Sequence, residues 1–261
     1  VTEIGHLVEK SPAPAVTRAA ALLDLLAQAH GGLGLTEIAR ALGLAKSSTS
    51  NICVALEQAG LIARRETGYV LGRQVARLGG AYLRGFDLVR EFYRVCEASQ
   101  VLSRELLQLA LLDGTQVLYL ARHEGRAPLR LSATVGDRFP APITAVGTAL
   151  LSRLDPAEVR ERFADPVTLP VWTDSSVRTV EDLLAKLAAT AERGFAVDDG
   201  ETHPGVYGVA VLLPAATAGG EPVALGCSMM KASMTAEHRD TVVDALRSAR
   251  EELADPMRAA D

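Results

Sequence analysis

Residues 35–72 read LTEIARALGLAKSSTSNICVALEQAGLIARRETGYVLG, and this stretch decides the N-terminal fold. A short helix is predicted from Thr36 as N-cap, a tight turn at Gly43, and a second helix from about Lys46 to Ala59 that stops at Gly60. Leu61–Arg65 and Tyr69–Leu71 are short extended runs joined by Glu66, Thr67 and Gly68, a hairpin-like turn. Upstream, Val16, Ala19, Ala20, Leu22, Leu23, Leu25 and Leu26 keep a helical period up to the glycines at 31 and 32. Three helices followed by a small hairpin over residues 15–72 make a winged helix-turn-helix.

The second helix of that unit carries the strongest local signal. At 3.6 residues per turn, Ser48, Thr49, Ile52, Leu56 and Ala59 fall towards one side, and Ser47, Ser50, Asn51, Val54 and Gln58 point away. Short hydroxyls and an amide behind Lys46 suit a major groove. They permit close approach, Asn51 can bind adenine bidentately, and Lys46 can meet phosphate. A solvated helix face has the same composition, and helix-turn-helix units also serve protein binding. Arg64 and Arg65 sit side by side in the wing, where strand alternation sends them to opposite faces. One is expected to reach phosphate or the minor groove, and the other to pair with Glu66 or the domain surface. Arg18, at the start of the first helix, is a further candidate phosphate contact.

Outward from this unit, the composition bounds the rest. The 261 residues are 48% hydrophobic, 23% charged and 4% aromatic, which excludes a wholly disordered chain. No run of 18 apolar residues exists to span a bilayer, and no membrane association is expected. The first residues include acids and no long apolar core, so they do not read as a secretory signal. Cys53, Cys96 and Cys227 are too few and scattered for a disulfide framework, and a cytoplasmic setting is expected. The net charge of −5 is unevenly spread: residues 1–77 hold eight basic and six acidic side chains, whereas the remainder holds 19 and 26. A small basic module on a larger acidic one is the resulting pattern.

Residues 1–14, with Ser11-Pro-Ala-Pro-Ala, read as a flexible leader. The stretch 73–98 reads as a linker helix whose Leu78, Tyr82, Leu83, Phe86, Val89, Phe92, Tyr93 and Cys96 form one apolar face for self-association. A domain over 99–261 follows, with strands at 106–112, 116–121, 129–133, 206–213 and 222–229. Its helices begin at Thr144, Asp155-Pro156 and Thr179, and a closing helix runs from Thr235 to about Leu253. Asp155 with Glu158, and Thr179 with Asp182, read as capping boxes. The fold class is therefore mixed α and β.

Motifs for nucleotide binding, hydrolysis and zinc ligation are absent from the sequence, and none of the five histidines stands at ligand spacing to another His or Cys. No cofactor, metal or catalytic residue is expected. Asp198, Asp199 and Glu201 with His203 could make a carboxylate–histidine site, but adjacent acids beside a turn also serve as caps. Cys227 reads as a core cysteine. An enzyme using Asp198, His203 and Cys227 is the alternative of a different class.

The same residues resemble the IclR family of bacterial transcriptional regulators. The matching pieces run in order: AVTRAAALLDLL (15–26), LTEIARALGLAKSS (35–48), ALEQAGLI (55–62), GYVLG (68–72) and VGDRFPAPITAVGTALL (135–151). ERGFAVDDGETHPGVYGVAV (192–211) and EPVALGCSM (221–229) complete the set. The resemblance implies homodimers or homotetramers whose winged helices bind double-stranded operator DNA. It also implies a C-terminal GAF-like domain with an antiparallel sheet that binds a small metabolite. Two departures stand out. The family usually has proline at Ala45 and arginine at Asn51, so the operator read here should differ. By resemblance the effector pocket should use Ala145, Val146, Gly147, Asp198, Gly208, Cys227 and Met229. Members that bind very small keto acids have cysteine at Gly208 and serines at Cys227 and Met229. Fewer hydroxyls leave a small anion short of donors, so the expected effector is larger and less polar than pyruvate.

Overall fold

The computed structural model describes residues 11–29, 31–84, 87–125, 133–214 and 221–254. The chain separates into two compact units, Val1–Gly85 and Phe86–Asp261. The expected leader lies for the most part outside the described residues.

In the first unit, α1 (Pro14–Gln28), α2 (Leu35–Ala41) and α3 (Lys46–Gln58) precede a hairpin of β1 (Ile62–Arg65) and β2 (Gly68–Leu71), and α4 (Arg73–Arg84) follows. Leu22, Leu26, Ile38, Leu42, Cys53, Leu56 and Ile62 form its core. The cap of α2 is Gly34 rather than Thr36, because the Glu37 carboxylate reaches back to accept from the Gly34 N–H at 2.7 Å. The turn into α3 runs through Gly43 at φ +64°, a conformation that favours glycine. Leu33 adds a single rung to the wing, exchanging backbone hydrogen bonds with Tyr69 at 3.0 and 2.8 Å. Gly68 at φ +121° makes this possible, since a Cβ there would lie 2.5 Å from the Leu33 carbonyl.

The second unit is built on a six-stranded antiparallel sheet. Its strands are β3 (Leu106–Asp113), β4 (Gln116–His123), β5 (Arg138–Pro140), β6 (Ala196–Asp199), β7 (Val206–Leu212) and β8 (Val223–Met230), in spatial order β5-β4-β3-β8-β7-β6. The helix α5 (Asp87–Ala98) packs against β4 and β3, and the closing helix α9 (Ala236–Ala254) packs on α5, β7 and β8. Against the sheet from the Ala110, Ala210 and Ala224 side lies α6 (Ala145–Leu151), all seven residues of which are buried. Leu109, Leu111, Val209 and Leu225 alternate with those alanines and are equally buried, so both faces of the sheet are covered. Two further helices, α7 (Pro156–Arg162) and α8 (Val180–Arg193), pack on each other, and α8 also packs on α6 and β6.

Three sequence expectations differ from this arrangement, and a fourth falls mostly outside the described residues. The 73–98 stretch is divided between the units: Leu78 and Tyr82 stand half-exposed on α4, whereas Phe92 and Cys96 are buried on α5 against the sheet of the second unit. Those two are spent on a core within the second unit; the side chains of Leu83 and Phe86 lie outside the described residues. The strand expected at 129–133 falls mostly outside them too, and its one described residue, Ala133, is buried but not in a strand. The strands β5 and β6 were not foreseen, being short and, at Asp198-Asp199, acidic. Asp155 caps α7 by accepting from the Ala157 N–H at 2.8 Å, but Glu158 is drawn off to Arg162, four residues on, instead of closing a box.

The seat of α6 depends on small residues. A Cβ on Gly226 would lie 2.5 Å from the Val146 Cγ1, and one on Gly208 would lie 3.2 Å from the Ala145 Cβ. Gly226→Ala is therefore expected to destabilise the second unit by about 1–3 kcal/mol. Urea denaturation followed by circular dichroism should also show that Gly226→Ala with Val146→Ala loses less than the sum of the single losses, because the two side chains contend for one space.

Candidate nucleic-acid interface and ligand cavity

The helix α3 turns Thr49, Cys53 and Leu56 inward, and Thr49 is anchored by donating its hydroxyl to the Ala45 carbonyl at 3.1 Å. Its outer face presents Lys46, Ser47, Asn51, Val54 and Gln58 as exposed residues, with Ser50 half-buried. Ala59 is exposed rather than inward, because the helix ends at Gln58 and Ala59 is its C-cap. On the wing both arginines are exposed. The Arg64 guanidinium lies 5.8 Å from the centre of the Tyr69 ring, its cross-strand partner, and among the described residues neither Arg64 nor Arg65 pairs with Glu66. Arg18 is partly sunk into the unit, with its Nε buried and without a hydrogen-bond partner, so it offers less to a phosphate than Lys46 does.

In the second unit a cavity of about 240 Å³ lies between the start of α6 and the sheet. Its floor is Leu106, Gln108, Gly208, Gly226 and Ser228, and Ala145 and Val146 overhang it. One wall is aromatic. Tyr119 meets Phe139 edge to face with ring centres 5.7 Å apart, and Phe139 meets Trp172 in the same manner at 5.4 Å. Trp172, half-exposed at the rim, is the only tryptophan of the chain.

The opposite wall is polar. Asp198 is 3% exposed and accepts from the Glu201 N–H at 2.6 Å and the Thr202 hydroxyl at 2.5 Å, with the Thr202 N–H farther off at 3.3 Å. Burial pushes its carboxyl above the usual range, and those hydrogen bonds and the Lys186 charge oppose the rise. Beyond the turn, Lys186 on α8 pairs with Glu201 at 2.5 Å and donates to the Pro142 carbonyl at 2.9 Å. Burial pushes Lys186 down and Glu201 up, and their mutual attraction resists both shifts. Glu201 Oε2 is buried without a partner. Hydroxyls of Thr173 and Ser176 donate to the Gly200 and Glu201 carbonyls at 2.7 and 2.9 Å, which ties the Trp172 segment to the same turn.

Of the expected pocket residues, the structure places Ala145, Val146, Asp198, Gly208 and Cys227 around the cavity; Gly147 and Met229 are elsewhere. The Gly147 N–H is taken by the Thr144 hydroxyl at 3.0 Å, the N-cap of α6. Met229 lines a separate depression with Glu105, Met234 and His238. The reason is strand parity: Gly226 faces Val146, so Ser228 shares that face while Cys227 and Met229 turn to the other. The charged groups acting on the Cys227 thiol, Glu105 and Cys96, belong to that other side, and burial pushes the thiol far up, the reverse of what a nucleophile needs. His203 is exposed at the rim, with Nδ1 accepting from the Gly205 N–H at 3.1 Å. Among the described residues no cluster of His, Cys, Asp and Glu could hold a metal. Gln108, Tyr119, Phe139, Trp172, Thr202 and Ser228 were missed. Alternation along 223–230 could have found Ser228; nothing local marks Trp172.

With this geometry the chain can be compared with known proteins. The IclR helix-turn-helix domain matches residues 15–66, and the bacterial transcriptional regulator IclR C-terminal domain matches residues 80–254. The chain belongs to the IclR family. An HTH-type transcriptional regulator of Mycobacterium tuberculosis is 34% identical over 202 residues, 76% of each chain. An IclR transcriptional regulator from Alicyclobacillus acidocaldarius has a similar crystal structure, with TM-score 0.79, 25% identity, and 92% of this chain and 97% of that one covered. An IclR homolog from Microbacterium hydrocarbonoxydans, crystallised with 4-hydroxybenzoate, has a TM-score of 0.77 at 24% identity, covering 94% and 100%. The winged helix and the sheet domain are thus the two parts of an IclR-type transcriptional regulator. Its relatives are regulators of transcription, not enzymes. No described helix is long and apolar enough to cross a membrane.

The Lys186–Glu201 pair gives a test of how the polar wall is held. Lys186→Met leaves a buried carboxylate unpaired and should cost about 3–5 kcal/mol in urea denaturation of the second unit. Lys186→Met with Glu201→Leu should recover most of it. Equal losses in the single and double variants would show that the pair is not what holds the turn.

Proposed function

We propose that this chain binds operator DNA through the outer face of α3 and the wing, and that an organic effector in the cavity of the second unit controls that binding. The carrying observation is the cavity, whose wall combines three of the chain's eleven aromatic side chains with a floor almost free of hydroxyls. Desolvating a two- or three-carbon keto acid there would leave its oxygens short of donors. A larger, less polar ligand instead gains about 25 cal/mol for each Å² of apolar surface removed from water. Ala145, Val146, Asp198 and Gly208 keep their expected roles in this reading; Gly147 and Met229 give way to Gln108, Tyr119, Trp172 and Ser228. Effector binding changes operator affinity by a coupling of about 1–3 kcal/mol.

On the DNA side, Lys46 and the wing arginines meet phosphate, while Ser47, Ser50 and Asn51 face base edges. A two-fold operator requires two such helices, so the working species is at least a dimer, and its place is the cytoplasm. The half-exposed Leu78 and Tyr82 on α4 agree with burial by a second copy.

Fragments of genomic DNA selected by the purified protein supply the operator for the test. Asn51→Ala should then lose about 1–3 kcal/mol on that operator and little on random DNA. Lys46→Ala should weaken both and lower the salt slope by about one. Equal losses on both DNAs for Asn51→Ala would remove its base-reading role. Light scattering at micromolar concentration should return at least twice the chain mass. In calorimetric titrations, tight binding of glyoxylate or pyruvate with no response to ring-sized compounds would overturn the reading of the cavity.

A further inference from the structure

The polar atoms of the cavity restrict the charge of what it can hold. Among its described lining residues Asp198 is the one acid, and there is neither lysine nor arginine. Three donors converge on Asp198, the pattern of an ionised, acceptor-only carboxylate. The nearby cations lie outside the lining: Lys186 pairs with Glu201 and donates to the Pro142 carbonyl. Arg122, cross-strand from Gln108, pairs through one terminal nitrogen with Glu124 at 2.7 Å while its Nε is buried without a partner. His203 stands exposed at the rim with its Nδ1 taken by the Gly205 N–H. A carboxylate ligand would therefore enter beside a carboxylate of its own sign, with no lysine or arginine among the described lining residues to meet it.

The neutral polar groups stand at the other end. Gln108 is 5% exposed, and its Oε1 accepts weakly from the Ser228 hydroxyl at 3.4 Å. Gln108 and Tyr119 both line the cavity, so the Gln108 amide and the Tyr119 hydroxyl are the polar groups a ligand would meet at this end. Asp198 lies on β6 and Gln108 on β3, three strand spacings away in the order β3-β8-β7-β6. At about 4.8 Å per spacing the two backbones are about 14 Å apart. With both side chains reaching inward, the space between their polar tips suits one ring, flanked by the Tyr119, Phe139 and Trp172 wall.

Resting on the reading of this cavity as the effector site, we propose that the effector is an uncharged, single-ring compound with polar groups at both ends. A hydroxyl or N–H meets Asp198, and a carbonyl or amide meets Gln108, Tyr119 and Ser228; a free carboxylate is selected against. Gln108 is then a specificity-determining residue, and Asp198 rejects anions as well as accepting a hydrogen bond.

A matched pair of probes, 4-hydroxybenzamide and 4-hydroxybenzoate, differs in charge at nearly constant shape. Titrated into the full-length chain near neutral pH with Trp172 fluorescence as the readout, the amide is expected to bind roughly tenfold or more tightly than the acid. Asp198→Asn, whose amide oxygen can still accept from the Glu201 N–H, should close that gap by improving the acid. Gln108→Leu should weaken the amide by roughly tenfold. Tighter binding of the acid by the unmodified chain overturns this inference and leaves the effector-site reading standing. Silence of Trp172 and of calorimetry towards both probes and every other ring compound overturns both.

Discussion

The close approach of α6 to the six-stranded sheet is the constraint on which the second unit depends. A seven-residue helix buried on every side cannot contribute a polar face, and its own sequence, AVGTALL, has none but Thr148. Thr148 resolves its hydroxyl internally by donating to the Thr144 carbonyl at 2.8 Å. The sheet answers with its smallest residues beneath the helix: Ala110, Gly208, Ala210, Ala224 and Gly226. Where the helix begins, that floor continues without a covering side chain, and the space left over is the cavity. The cavity is thus the unfilled end of a packing arrangement that is otherwise tight.

The polar wall follows from the same geometry. Asp198 on the edge strand β6 is drawn below the surface because β6 pairs with β7 directly beside Gly208. A buried carboxylate requires donors, and the 198–202 turn folds back to supply them. That turn in its own right carries Glu201 into the interior, where it meets Lys186 from α8, which also donates to the Pro142 carbonyl. Through Thr173 and Ser176 the rim segment bearing Trp172 is fastened to the same few carbonyls. A ligand that touches Asp198 therefore acts on a network reaching α8, the approach to α6 and the rim at once. The cavity is thereby linked physically to the rest of its unit.

The DNA-binding unit is governed by a simpler rule. Its core is a small set of aliphatic side chains plus Cys53, and everything the core does not claim on α3 is short and polar. The wing is held by Leu33 and by the left-handed Gly68, so its two arginines project from a braced hairpin. The basic excess of residues 1–77 within an acidic chain is the charge pattern such a surface needs.

The N-terminal fold was legible in the sequence because its information is local. Helix periods, the glycine at 43, and the hairpin with its Thr67-Gly68 turn are each satisfied by neighbours in the chain, and so is the outward face of α3. Even there the cap of α2 shifted to Gly34, since what decides it is the reach of Glu37 and not the chemistry of the capping residue. Asp198, Gly208, Ala145 and Val146, named from family likeness, line the cavity. Met229 lies outside that lining, because an offset of one residue in a strand moves a side chain to the opposite face. The division of 73–98 between two units, the strand character of 196–199 and the aromatic wall depended on contacts between residues far apart in the chain. Tyr119, Phe139 and Trp172 come from separate segments with no common spacing. Local pattern determined which elements form and which way α3 faces. The cavity and its charge were decided only when the sheet closed under α6, because a void is a property of what surrounds it and no single stretch of sequence encodes it.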